Sequence, residues 1–243
     1  MKLILTNDDG IYAPGIIALA RELQKEHDIT IVAPSMQQSG TSHSITFIAP
    51  LRVNKVKING LEGVSCYSVD GSPADCVKFA YGNLNIKQDI VISGINIGSN
   101  LGTDVFYSGT VSAAMEGALN GIPSIAVSCC SFTPKYLDTA ALYAKYAIEV
   151  VLKEDYKVIN INVPDLPAAQ IRGIKYTKLC SPSYETRYTE CTDPHGMKYY
   201  WIPPALPSQF GPEDDNDGRW VEEGYVAITP LLTDLTDFSR VKR

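Results

Sequence analysis

The chain has 243 residues, 45% of them hydrophobic and 20% charged, which is enough for one large α/β domain with a well-buried core. Its 21 basic and 27 acidic residues give a formal net charge of −6, and no Lys/Arg cluster could follow the phosphates of a nucleic-acid polymer. Only three consecutive apolar residues precede Thr6, too few for a secretory signal, and no apolar run reaches membrane-spanning length. We therefore expect a cytoplasmic protein, in which the six cysteines are reduced.

Strands alternate with helices along the first two thirds of the chain. An opening strand over residues 3–6 is followed by a helix that begins near Pro14, where proline suits the first turn. Further strands are predicted at 29–33, 89–92, 124–128 and 158–163, a hairpin at 46–69, and helices at 73–79, 110–120 and 140–152. This alternation predicts an α/β fold: a three-layer, Rossmann-like, mostly parallel sheet with helices on both faces.

The pattern changes after residue 164. Prolines and an acidic stretch interrupt short strand-like runs, at Pro203, Pro204, Pro207, Pro212 and residues 213–215. We therefore predict an α/β core over residues 1–164 and, over 165–243, a β-rich C-terminal extension that completes the fold and acts in oligomerisation. Its last clear strand, residues 225–230, could pair with a partner subunit or with the core of its own chain, and the sequence leaves both open.

Two adjacent carboxylates, Asp8 and Asp9, follow the opening strand. Neighbouring side chains leave a regular strand on opposite faces, so these two can converge only where the strand gives way to the turn that Gly10 allows. Carboxylates held together repel unless a cation or a shared proton relieves them, and Mg²⁺ or Mn²⁺ takes such oxygen ligands. The motif predicts a metal site; a solvated Asn-Asp-Asp-Gly turn is the alternative.

Polar loops follow three of the predicted strands, and in a parallel sheet their carboxyl ends meet at one edge. Ser39 and Gly40 come from the second loop, and Asn96 comes from a long Gly/Asn/Ser loop predicted at 93–108. With Asp8 and Asp9, Ser39 and Asn96 form an oxygen-only set of two charged and two neutral donors, which suits one divalent ion. Taken singly, Ser39 and Asn96 could each be an ordinary turn residue.

The segment Ser108-Gly109-Thr110 lies where a helix is predicted to begin, at the same edge. Unpaired amides and the positive end of the helix dipole predict an anion cradle, although Ser and Thr also cap helices without binding anything. His43, in the loop of Ser39, could donate a proton or contact substrate, or simply be exposed. For Asp75, in the first turn of the helix after Pro73, a capping role is favoured over ligation.

Several phosphate-handling mechanisms are excluded by spacing. The chain has no C-x5-R thiolate motif and no D-x-D after the first strand, and it lacks both G-x-x-x-x-G-K-[ST] and a G-x-G-x-x-G after that strand. Hydrolysis by a metal-activated water is the mechanism that remains.

At these residues the chain resembles the SurE family, the stationary-phase survival protein E, a group of metal-dependent nucleotidases. The resemblance rests on five motifs in family order, at residues 5–10, 32–40, 71–76, 93–96 and 107–117, with a weaker echo at 224–231. Ser72 stands where the family more often has threonine, and residues 165–223 match poorly.

The resemblance implies a phosphomonoesterase that hydrolyses nucleoside 5'- and 3'-monophosphates, and it matches Asp8, Asp9, Ser39 and Asn96 to the family's metal ligands. It also implies homodimers or homotetramers in which C-terminal arms exchange. We therefore predict one Mg²⁺ or Mn²⁺ per subunit, Asp8 or Asp9 as the base for the attacking water, and nucleoside monophosphates as partners, with no nucleic-acid polymer and no membrane. Substrate contacts are predicted at Gly40, His43, Ser108, Gly109 and Thr110.

Two other functions are compatible with the same residues. One is a nucleotide-sensing binding module that uses the metal and the cradle without turnover. The other is a broad phosphatase of small phosphoesters or polyphosphate, since no base-reading motif is recognisable in the sequence.

Overall fold

The computed structural model describes residues 1–84, 86–181, 188–202 and 214–241. Its strands are β1 Lys2–Thr6, β2 Asp28–Pro34, β3 Val53–Val56, β4 Ser65–Val69, β5 Ile90–Ile97, β6 Ser124–Cys129, β7 Val158–Val163, β8 Ile174–Tyr176, β9 Thr189–Thr192, β10 Lys198–Trp201 and β11 Val226–Leu231. Its α-helices are α1 Pro14–Leu23, α2 Pro73–Asn83, α3 Gly109–Leu119, α4 Leu137–Lys153 and α5 Asp217–Glu222. Short 3₁₀ turns lie at Gly102–Phe106 and Ala168–Gln170.

The central sheet has nine strands in the order β3-β4-β2-β1-β5-β6-β7-β11-β8. The inner strands β4, β2, β1, β5, β6 and β7 are parallel, whereas β3 pairs antiparallel with β4 and β11 antiparallel with β7. Helices α1 and α4 pack on one face, and α2 and α3 pack on the other. The predicted three-layer, mostly parallel α/β fold is confirmed.

Strand β5 corrects one prediction, because it runs to Ile97 instead of ending at residue 92. Its pairing with β6 shifts register between Ser93 and Asn96, and Gly94 sits in this irregularity at a φ of 139°. A Cβ at Gly94 would lie 2.3 Å from the carbonyl oxygen of Val127, so only glycine fits the close approach. A Gly-rich sequence that resembles a loop is therefore a bulged strand, and Asn96 lies in that strand.

The hairpin predicted over 46–69 is also narrower than expected. It is formed by β3 and β4, and residues 46–52 lie in a loop before it. The helix after Pro73 is longer than predicted and ends at Asn83.

The C-terminal strand β11 lies inside the main sheet of its own chain, antiparallel to β7 and parallel to β8. Strands β9 and β10 form a separate two-stranded sheet. The run of prolines at 203–212 lies outside the described residues, as does Glu213 of the acidic stretch.

All six cysteines are free thiols in the structure. Within the described ranges, no helix combines the length and the apolar character needed to cross a bilayer.

Candidate functional site

The turn after β1 presents both carboxylates at the carboxyl edge of the sheet. Asn7 closes this turn, since its Oδ1 accepts from the backbone N–H of Gly10 at 3.2 Å and its Nδ2 donates to the Gly10 carbonyl at 2.9 Å. Asn7 is fully buried and its side chain is used by the turn. Asp8 and Asp9 are therefore the two side chains that the end of β1 offers to a site.

Asp8 is buried, only 3% exposed, and is bonded to the start of α3. Its Oδ1 accepts from the Thr110 hydroxyl at 2.6 Å, and its Oδ2 accepts from the Thr110 backbone N–H at 3.2 Å. Burial raises the pKa of Asp8 to about 6, and the neighbouring charge of Asp9 adds to the rise, whereas the Thr110 hydrogen bonds oppose it. The positive end of the α3 dipole therefore already faces a carboxylate of the chain itself.

Asp9 is half-buried, and its Oδ2 accepts from the backbone N–H of Ile97 at 3.1 Å. Burial also raises the pKa of Asp9, and that hydrogen bond offsets part of the rise. In the described part of the chain, no Lys, Arg or His forms a salt bridge with Asp8 or Asp9. Two adjacent, partly desolvated carboxylates without a protein cation fit a site for a bound metal ion.

Two segments bring the neutral oxygens to this pair. Asn96 donates from Nδ2 to the Gly98 carbonyl at 2.8 Å, which leaves Oδ1 as its remaining acceptor, and its neighbour Ile97 is the donor to Asp9. Ser39 follows Gln38, whose backbone N–H donates to the Asp8 carbonyl at 2.7 Å. The structure thus places Asp8, Asp9, Ser39 and Asn96 on three segments joined to one another at the carboxyl edge of the sheet.

The Ser39 hydroxyl is exposed and accepts a hydrogen bond from Gln37 Nε2 at 3.0 Å, which leaves one lone pair for another partner. No group of three or more His, Cys, Asp or Glu side chains within the described ranges could hold a metal. A cation here would thus depend on Ser39 and Asn96 as well as on the two carboxylates.

Helix α3 begins at Gly109, one residue before the predicted start, and Ser108 caps it by accepting from the Val111 N–H at 3.0 Å. A Cβ at Gly109 would lie 2.8 Å from Cβ of Asp8, so the absence of a side chain lets the helix start pack directly on that carboxylate. Ser108 therefore caps the helix, and the start of α3 lies at the edge of the sheet where Asp8 and Asp9 are found. Phosphate binding by Ser108, Gly109 and Thr110 stays a prediction.

His43 contacts a residue that sequence reasoning missed. Its Nε2 lies 2.9 Å from Oε2 of Glu116, which is only 6% exposed in the middle of α3. The available signal was a single acidic residue among the small and apolar residues of that helix. Gly40, next to Ser39, lies in the exposed part of the same loop as His43.

Asp75 has the predicted capping role. It forms a capping box with Ser72 and also accepts hydrogen bonds from the backbone N–H and the hydroxyl of Thr46. Its second role, as an anchor of the loop before β3, was not predicted because it joins residues far apart in sequence.

Comparisons with known proteins identify the family and support the fold. A family model described as "Survival protein SurE" matches residues 3–186. The 5'-nucleotidase SurE of Natranaerobius thermophilus is 45% identical and aligns with 98% of this chain and 95% of its own length. That of Desulfitobacterium hafniense is 46% identical, with coverages of 100% and 95%. The crystal structure of the SurE protein from Aquifex aeolicus superposes with a TM-score of 0.84 at 39% identity, covering 98% of this chain and 96% of that one.

Proposed function

Because this chain belongs to the SurE family, we propose that it is a nucleotidase that hydrolyses nucleoside 5'-monophosphates to nucleoside and phosphate. The relatives that align with nearly its whole length are 5'-nucleotidases by name. The observation that carries the proposal is the Asp8–Asp9 pair at the end of β1, with Asp8 bonded to the first turn of α3. We extend the proposal to 3'-monophosphates.

One divalent ion, Mg²⁺ or Mn²⁺, would be held by Asp8, Asp9, Ser39 and Asn96. The donors fit a hard cation because all four offer oxygen atoms, and because no basic side chain in the described part of the chain neutralises the two carboxylates. When bound, such an ion supplies a Lewis acid that offsets the charge developing on phosphoryl oxygens and makes a water molecule more acidic.

The chain's own residues bind and orient the substrate. The start of α3 directs its dipole and the Thr110 hydroxyl toward Asp8, and a phosphate bound beside that carboxylate would be stabilised by the same field. Ser108, which caps this helix, and Gly109 are the other proposed contacts from α3. Gly40 and His43 are the proposed contacts from the loop. Asp8 or Asp9 accepts the proton of the attacking water.

The test measures phosphate release from AMP by purified protein with Mn²⁺. We expect many turnovers per protein molecule, loss of activity in EDTA, and loss of activity in Asp8→Asn. The matched control is Asp138→Asn, which changes an exposed carboxylate in the first turn of α4 and should keep wild-type activity. Phosphate release that survives EDTA or Asp8→Asn would contradict the proposal, and nucleotide binding without turnover would favour a sensing module.

Comparing rates on AMP, GMP, 3'-AMP, polyphosphate and an aryl phosphate identifies the leaving group. Faster hydrolysis of the nucleotides supports a nucleotidase. Equal rates on all five compounds would indicate a broad phosphatase.

We also propose that residues 165–243 act as an extension for homodimers or homotetramers. The support is the β9–β10 sheet, which has only two strands in the part of the chain that the structure describes, although two-stranded sheets are marginal on their own in water. All four residues of β10 are exposed, including Tyr199 and Trp201, which contact each other edge to face. An exposed aromatic hairpin of this kind fits a surface that a second copy covers.

A further inference from the structure

The segment that carries Ser39 and Gly40 has no regular secondary structure of its own. It spans residues 35–52, between β2 and β3, and most of its residues are exposed. A proposed metal ligand on such a segment keeps its place only if other contacts hold the segment, since a shift of about 1 Å in a catalytic group costs much of its effect.

Apart from the backbone N–H of Gln38, which donates to the Asp8 carbonyl, the contacts that hold the middle of this loop come from α2, α3 and the turn before α3. Ser42 donates from its backbone N–H to the Tyr107 carbonyl at 3.0 Å and from its hydroxyl to the Phe106 carbonyl at 2.7 Å. Farther along, Thr46 donates to Asp75, and the Ser44 carbonyl accepts from the Ser72 hydroxyl at 2.6 Å. Between these two groups of contacts lies His43.

His43 reaches a buried carboxylate that has no direct part in the proposed chemistry. Glu116 accepts from His43 Nε2 at 2.9 Å through Oε2, while Oε1 accepts from Lys78 at 3.3 Å and from Asn120 at 3.0 Å. Burial raises the pKa of Glu116, but the hydrogen bonds from His43, Lys78 and Asn120 together outweigh this and leave the pKa below its ordinary value. The carboxylate is therefore charged at neutral pH, and His43 Nε2 is the donor.

We propose that Glu116 is a positioning residue, which acts through His43 to hold loop 35–52 so that Ser39 and Gly40 stay beside Asp8 and Asp9. The inference rests on the proposed function, because it assumes that this loop contributes a metal ligand. Glu116 suits the role because α3 also supplies Thr110, the partner of Asp8, so one helix fixes both the carboxylate and the loop.

The test measures the dissociation constant of Mn²⁺ by isothermal titration calorimetry in the absence of nucleotide. Direct contact between His43 and a substrate then cannot contribute to the result. We expect His43→Ala and Glu116→Ala each to raise the dissociation constant about tenfold, because the loosened loop no longer holds Ser39 in place, a loss similar to that of removing a partner of a metal ligand. The double variant should have the same dissociation constant as the single variant that binds Mn²⁺ less tightly, because both changes break the same contact.

Two further variants separate positioning from general stability. Glu116→Gln keeps an oxygen that can accept from His43, so it should restore an affinity close to wild type. Lys78→Met removes a different partner of Glu116 and leaves the loop contact in place, so it should bind Mn²⁺ as the wild type does. Hydrogen–deuterium exchange should be faster over residues 35–47 in the two alanine variants and unchanged in Lys78→Met.

Unchanged Mn²⁺ affinity in His43→Ala, a change in a loop side chain that is 36% exposed, overturns the inference even if Glu116→Ala does not fold. Effects that multiply in the double variant also overturn it. If the wild type itself binds no Mn²⁺ and releases no phosphate, the proposed function fails and the inference fails with it.

Discussion

At the scale of single residues, Asp8 lies in surroundings that oppose its charge. It is almost fully buried beside a second carboxylate, and only Thr110 donates to its side chain among the described residues. A native pKa of about 6 against an ordinary value of 3.8 means that, between these two pH values, the folded protein holds a proton that the unfolded chain has released. The metal-free protein should therefore lose stability as pH rises from about 4 through about 6.

Asp8→Asn should remove this part of the pH dependence. A pKa shift of roughly two units corresponds to at most about 3 kcal/mol. Between about pH 4 and pH 8, the unfolding free energy of the wild type should therefore fall by up to that amount relative to that of Asp8→Asn. Urea unfolding of both proteins in EDTA measures the difference. If the gap between wild type and variant is the same at the two pH values, Asp8 does not titrate as the structure indicates.

The proposed ligands could be found from sequence because Asp8, Asp9 and Ser39 follow apolar strands and Asn96 lies near the end of one. Their partners could not be found in this way. The bonds from Thr110 to Asp8 and from His43 to Glu116 join residues 102 and 73 positions apart, and only the packing of α3 on the sheet creates them.

At the scale of elements, the start of α3 and the end of β1 approach so closely that Gly109 has no room for a side chain. A Cβ there would meet Asp8 Oδ2 at 3.0 Å and Pro73 Cγ at 3.1 Å, in addition to Asp8 Cβ. Pro73 begins α2, so three elements meet at this one glycine.

Gly109→Ala should displace either the helix or the carboxylate. We expect it to lower the unfolding free energy by about 1–3 kcal/mol and to weaken Mn²⁺ binding, although alanine favours helix more than glycine does. Gly82→Ala in α2 is the control, since a Cβ there meets no atom within 4 Å and should stabilise the protein by roughly 0.5–1 kcal/mol. Equal unfolding free energies and Mn²⁺ affinities in the two variants would argue against a close contact at Gly109.

Most elements could be predicted because their apolar periodicity is local, and β7 was placed at its observed bounds. The extension of β5 to Ile97 could not, since the bulge at Gly94 depends on the neighbouring β6 rather than on the sequence of β5 itself.

At the scale of the whole molecule, the C-terminal extension has two parts with different surroundings. Strands β8 and β11 join the sheet of their own chain, whereas β9 and β10 stand apart with exposed aromatic side chains. We propose that the second part acts in assembly.

Light scattering after gel filtration should give a mass of two or four times 26.5 kDa for the wild type. Replacing Tyr199 and Trp201 together with serine should lower the mass toward that of one chain, because the aromatic face of β10 is lost. Tyr146→Ser, which removes a similarly exposed ring from α4, should leave the mass unchanged. A wild-type mass of 26.5 kDa would contradict the assembly proposal.

The position of β11 between β7 and β8 has a consequence for how the protein is made. All six residues of β7 are buried in the finished sheet, yet its outer edge is paired by a strand that the ribosome synthesises much later. Until residues 226–231 emerge, the nascent chain carries an open edge on a strand rich in Val and Ile, the kind of surface on which growing polypeptides aggregate.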